Sequence, residues 1–206
     1  MKAMAILENQ AELPASAILR WVEQARTGDR TAFHKLVDRF QPEIYRMVYY
    51  RIQSQMDAED LTQDIFLQAF KNMAHLKAPQ VFRAWLYRIA VNRVRDHYRR
   101  KKFKSLFGFI SIEDEKLQAE PEMAVAPQAP GELDRTAFWG RIEAAMKHLS
   151  RLEREIFMLR FFDQLSIKEI TSTLNKNEST VKTHLYRALR KLKNTLSDLD
   201  PIKEDL

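Results

Sequence analysis

Lys182, Thr183, Tyr186 and Arg187 recur at helical spacing within STVKTHLYRALRKLK (Ser179 to Lys193), and their side chains match what a DNA base edge offers. Arginine and lysine donate to the acceptors of guanine, while a threonine methyl and a tyrosine ring pack on a thymine methyl. Arg190, Lys191 and Lys193 come later in the segment, where phosphate contact is the expected chemistry. On the other side, Val181, Leu185, Ala188 and Leu192 form an apolar stripe for burial. Upstream, Ser166 and Glu169 form a capping box that opens a short helix, IKEITSTL, and Asn175, Lys176 and Asn177 supply a tight turn. Helix, short turn and basic second helix make a helix-turn-helix, whose second helix would enter the major groove. The competing reading is a solvated basic helix in a small bundle.

A second basic segment, WLYRIAVNRVRDHYRRKK, runs from Trp85 to Lys102. Phe82, Trp85, Leu86 and Ile89 make its buried stripe and leave Arg88, Asn92, Arg95 and Arg99 along another face. Asn92 matters there because an amide both donates to and accepts from a base edge, whereas arginines alone would mostly meet phosphate. Trp85 shares the register of Phe82 and Ile89, so core packing is favoured over base stacking. A third segment, DAEDLTQDIFLQAF (Asp57 to Phe70), has the opposite charge. Its Asp60, Gln63, Asp64 and Leu67 form an acidic, amide-bearing surface that would repel DNA and suit a basic protein partner. The alternative is an ordinary acid-rich helix N-terminus. No histidine or nucleophile accompanies these carboxylates, so no catalytic site is assigned.

The elements that must carry these faces are helices. The chain has 206 residues, 45% of them apolar, only four glycines, and no period-two alternation. The expected fold is all-α: two small helical domains joined by a flexible acidic linker, the C-terminal one containing the helix-turn-helix. The expected division is an extension over 1–17, a first domain over 18–105, the linker over 106–134, a second domain over 135–197 and a polar tail over 198–206. In the first domain Asp29 caps a helix after Gly28, Pro42 marks an entry or kink, a helix starts near Asp57, and residues 72–80 form a loop before a helix opens near Val81 or Phe82. The linker carries Glu113, Asp114, Glu115, Glu120, Glu122, Glu132 and Asp134 against Lys116, with Pro121, Pro127 and Pro130 interrupting regular structure.

A net charge of +6 and a pI near 9.5 favour a polyanionic partner. Cysteine is absent and the five histidines sit at no metal-ligand or catalytic spacing, so neither a metal nor a cofactor is expected. No run of about 18 apolar residues exists and the N-terminus is unlike a secretory signal, so a cytoplasmic protein without membrane insertion is expected.

Four stretches in order, GDRTAFHKLVDRFQPEIYRMVYYRI, DAEDLTQDIFLQAF, FRAWLYRIAVNRVRDHYRR and LSRLEREIFMLRFFDQLSIKEITSTLNKNESTVKTHLYRALRKL, resemble the bacterial sigma factors of the extracytoplasmic-function type, from about Ile18 to Leu196. The resemblance implies a promoter-specificity subunit of RNA polymerase with no catalytic activity of its own. Its first domain would grip the clamp helices of β′ and melt and read the minus-ten element; its second would bind the flap of β and read the minus-thirty-five element. By position, Asp60, Gln63, Asp64 and Leu67 would meet the clamp, and Arg88, Asn92, Arg95 and Arg99 the melted minus-ten strand. Lys182, Thr183, Tyr186, Arg187 and Arg190 would face the minus-thirty-five element, and the Asn72 to Gln80 loop would capture a flipped base. The linker would run through the RNA exit path, and an anti-sigma factor is a possible partner. Departures from the family pattern are Asn175 for glycine, Ser150 for proline, Thr171 for alanine and Leu189 for arginine. A stand-alone helix-turn-helix regulator would explain Ser166 to Lys193 but not the acidic segment joined to WLYRIAVN. A nuclease or recombinase would need a metal or nucleophile constellation that is missing.

Overall fold

Gly28, at a φ of 99°, turns the chain through a left-handed conformation and ends α1 (Ala15–Arg26). Asp29 then accepts a bond from the Ala32 amide at 3.0 Å and opens α2 (Arg30–Ile52). Pro42 lies inside α2 without ending it. A proline in a helix interior costs about 3 kcal/mol, whereas each large apolar side chain buried is worth roughly 1.5–3 kcal/mol. Phe40, Ile44, Met47 and Val48 are all buried around it, so packing outweighs the lost hydrogen bond. The helix continues where the sequence allowed a break.

In the computed structural model, residues 15–106, 142 and 144–198 are described. The acidic linker beyond Leu106, the extension before Ala15 and the tail after Asp198 lie outside the described residues. α3 (Gln55–Asn72) begins at Gln55 rather than Asp57, because Ser54 accepts from the Asp57 amide at 3.3 Å and places Asp57 in the first helical turn. The loop after α3 is built from two 3₁₀ turns, Met73–His75 and Pro79–Val81. Met73 and Leu76 are buried and pin it to the core. α4 (Phe82–Leu106) follows, then, beyond the linker, α5 (Arg151–Phe161), α6 (Ile167–Leu174) and α7 (Glu178–Asp198). Among the described residues every regular element is helical, and no described helix is long and apolar enough to cross a membrane.

The break expected near Ser150 is a second capping box. Ser150 Oγ accepts from the Glu153 amide at 3.3 Å, and the Ser150 amide donates back to Glu153 at 2.8 Å. Ser150 therefore starts α5 by a side-chain cap. Glu153 also receives Lys191 Nζ, from α7, at 2.7 Å. Burial alone would raise its carboxyl, but the bonds from Lys191 and Ser150 hold it below the usual carboxylate range. A carboxylate whose folded pKa is depressed contributes stability above its unfolded value of about 4.3, and loses it as pH falls through the folded value. Thermal melts of the chain are thus expected to lose midpoint as pH drops below about 4.3, with a shallower slope for Glu153→Gln; equal slopes would remove Glu153 from the account.

Candidate nucleic-acid interface

The geometry of α6 and α7 is set by their turn. Asn175 adopts φ 51°, a left-handed conformation that asparagine tolerates where glycine is usual, and the Lys176 amide bonds back to the Thr171 carbonyl at 3.1 Å. Asn177 Oδ1 then accepts from the Thr180 amide at 2.8 Å and starts α7. Val181, Leu185, Ala188 and Leu192 are buried, which turns Lys182, Thr183, Tyr186, Arg187 and Arg190 to solvent; Tyr186 is 69% exposed. Glu178 pairs with Lys182 at 2.6 Å, one turn along the same helix. Together these residues present donors, a ring and a methyl from one outward face, as groove reading requires.

On α4 the expected four-residue face divides. Asn92 and Arg99 are exposed and Arg95 is half-buried, with Arg99 pairing Asp96 at 3.1 Å. Arg88 is engaged elsewhere: its Nε donates to the Ser172 carbonyl of α6 at 2.9 Å, and its Nη2 to the same oxygen. Trp85 is partly buried against Phe82, with ring centroids 6.0 Å apart, and so belongs to packing.

On α3, Asp60, Gln63, Asp64 and Leu67 share one exposed face that forms the ridge between two hollows. Gln63 and Leu67 edge a hollow of about 780 Å³ floored by Phe33, Val37, Phe66 and Phe70. Asp64 borders a smaller, charged hollow of about 370 Å³ with Arg93, Asp96, His97 and Arg100. Burial lowers the His97 pKa below its ordinary value, despite Asp57 nearby. Among the described residues no group of three or more histidine, aspartate or glutamate side chains is placed to hold a metal.

The pairings of the domain seam were not read from the sequence, which marked Glu169 only as a cap. Arg51, 8% exposed at the end of α2, donates to Asp163 at 2.8 Å and to Glu155 at 3.2 Å. Burial would lower the Arg51 pKa, but the two carboxylates more than offset it and hold the guanidinium charged. Arg83 reaches Glu169 at 3.2 Å, Glu43 at 3.4 Å and the Asp163 carbonyl at 2.9 Å. A signal for Arg51 was present: it continues the helical stripe of Ile44, Met47 and Val48, and a charge on a buried stripe demands a partner.

Family comparisons agree with this layout. Residues 36–104 match the model of Sigma-70 region 2, and residues 139–192 that of Sigma-70, region 4. The ECF RNA polymerase sigma factor BldN of Streptomyces coelicolor is 31% identical over 190 residues, covering 91% of this chain and 69% of its own. The ECF RNA polymerase sigma factor SigW of Bacillus subtilis is 30% identical over 188 residues, covering 88% and 98%. The sigma factor RpoE of Bartonella quintana, solved with the anti-sigma factor NepR, shares the fold at a TM-score of 0.62, with 20% identity over 84% of this chain and 98% of that one. A helix-turn-helix with an outward basic face, joined to an acidic α3 and a basic α4 and matched by relatives along its length, makes this chain a member of the sigma-70 family, an RNA polymerase sigma factor of the extracytoplasmic-function type that directs core polymerase to promoters.

Proposed function

We propose that residues 18–105 form the clamp-binding, minus-ten domain, residues 135–197 the flap-binding, minus-thirty-five domain, and residues 106–134 the tether between them. Asp60, Gln63, Asp64 and Leu67 on α3 meet the clamp helices of β′. Asn92, Arg95 and Arg99, joined by Arg88, handle the melted minus-ten strand, and the Asn72 to Gln80 loop receives a flipped base. Lys182, Thr183, Tyr186 and Arg187 read minus-thirty-five bases, and Arg190 meets phosphate. The protein works in the cytoplasm, performs no catalysis itself, and is held in check by an anti-sigma factor. The observation that carries this reading is the outward placement of five DNA-compatible side chains on α7 while the acidic ridge of α3 lies on a separate helix.

The test is substitution on α7. With core polymerase, Lys182→Ala or Arg187→Ala is expected to weaken minus-thirty-five recognition by about 1–3 kcal/mol, roughly 5- to 150-fold, while opening of a promoter bubble premelted at minus-ten is spared. Equal loss at both elements would overturn the assignment of α7.

A further inference from the structure

We propose that Glu178 and Lys182 read one base pair of the minus-thirty-five element as a unit, Glu178 accepting from the N4 amine of a cytosine and Lys182 donating to O6 of its paired guanine. The inference rests on the assignment of α7 to that element and deepens it by naming a base pair and a further reading residue.

Glu178 is the first residue of α7, directly after Asn177, whose side chain opens the helix. The N-terminal turn of a recognition helix is the part that meets base edges. Glu178 is exposed and is the sole acid from Glu178 to Thr195, on a helix whose outward face otherwise carries Lys182, Arg187 and Arg190. A carboxylate there works against docking on phosphate, which it repels. Because an ionised carboxylate only accepts hydrogen bonds, what it can recognise in the groove is a base amine. The bond from Lys182 lowers the Glu178 pKa and so keeps the group in that ionised form.

The spacing decides which base. Lys182 Nζ lies 2.6 Å from Glu178 Oε1, one turn along the helix. A cytosine–guanine pair shows the groove the complementary couple, the N4 donor and the O6 acceptor, held about 2.9 Å apart by their own hydrogen bond. Set edge to edge, the four groups form a ring in which every donor has an acceptor on both sides: Nζ gives to Glu178 and O6, and N4 gives to O6 and Glu178. Neither side chain has to leave the other, so an exposed ion pair of little value to folding becomes a matched reader.

An adenine–thymine pair also sets an amine beside a carbonyl oxygen. There, however, adenine N7 faces the carboxylate, acceptor against acceptor, and the thymine methyl crowds the ammonium. With cytosine and guanine the carboxylate has no acceptor beside it, and Lys182 finds guanine N7 as a second partner. Reversing the pair puts O6 against Glu178 and N4 against Lys182, so orientation is read as well.

The test uses the full-length chain with core polymerase. Promoters selected from a pool randomised across the minus-thirty-five element give the preferred sequence, and each position is then exchanged singly. The parent is expected to show one position where cytosine opposite guanine is favoured by about 5- to 150-fold. Glu178→Ala and Lys182→Ala should each abolish the preference at that same position and keep it elsewhere. Glu178→Ala should also bind promoters lacking the pair at least as tightly as the parent, since it removes a repelling charge. Glu178→Gln should move the preference there to adenine, which a carboxamide grips through N6 and N7. N4-methylcytosine at the position, which caps the groove-side N–H and preserves pairing, should weaken the parent and leave Glu178→Ala unmoved. An acid serving only the helix dipole would, when removed, weaken all positions alike. That result, or selectivity of Glu178→Ala within about twofold of the parent at every position, well under the range for a base contact, would overturn the paired reader and leave the reading of α7 standing. A parent indifferent to the whole element would overturn the reading of α7 and the pair with it.

Discussion

Phe82→Ala is expected to lower the stability of the chain by about 3–5 kcal/mol, the range for emptying a buried aromatic site. Phe82 is the first residue of α4 and is 2% exposed. Its ring meets Phe40 of α2 edge-on at 5.3 Å and leans on Trp85 at 6.0 Å. Removing it leaves a cavity where α2 and α4 meet, at the end of α4 that the 3₁₀ turn Pro79–Val81 leads into. Partial collapse is hindered because Leu36, Ile44 and Leu86 are already fully buried. Urea unfolding followed by circular dichroism measures the effect, and a midpoint shift worth less than about 1 kcal/mol would mean that Phe82 does not anchor α4.

The second large effect concerns function rather than folding. Leu67→Glu is expected to weaken binding to core polymerase by about 2–4 kcal/mol, roughly 30- to 1000-fold, as for a central anchor of an interface. Leu67 is 51% exposed, so folding does not depend on it, yet it edges the hollow floored by Phe66 and Phe70. A glutamate there would add charge to the apolar part of the ridge and leave Asp60 and Asp64 in place. Fluorescence titration against core polymerase, with thermal melting of the variant alongside, separates the two possibilities. Affinity within about threefold of the parent, about 0.65 kcal/mol, would move the polymerase contact off this face of α3.

The helices were largely legible in the sequence because their signals are local. Asp29, Ser166 with Glu169, and the apolar stripe Val181, Leu185, Ala188 and Leu192 each specify structure within a turn or two of themselves. Pro42 was harder, since its outcome depends on burial supplied by α3 and α4 rather than on its neighbours. Ser150 carried a readable box, with Glu153 three residues on, that the break obscured. The outward face of α7 followed from periodicity alone, whereas the face of α4 did not. Arg88 is at helical spacing with Asn92, Arg95 and Arg99, but its partner is a backbone carbonyl of α6 far along the chain. Seam residues such as Asp163 and Glu169 share that difficulty: a pairing across a long linker leaves no periodic trace, and only the charge of Arg51 on a buried stripe pointed towards it.

The central claim is that two promoter readers on one chain act through core polymerase, and reconstituted transcription tests it most directly. Core polymerase with this chain is supplied with duplex promoter templates carrying both elements, either one, or neither, and with templates premelted at minus-ten. The account predicts specific initiation that needs both elements on duplex DNA, with part of the minus-ten requirement relieved by premelting. Tight binding to duplex by the chain alone, with no binding to core polymerase and no directed initiation, would contradict it.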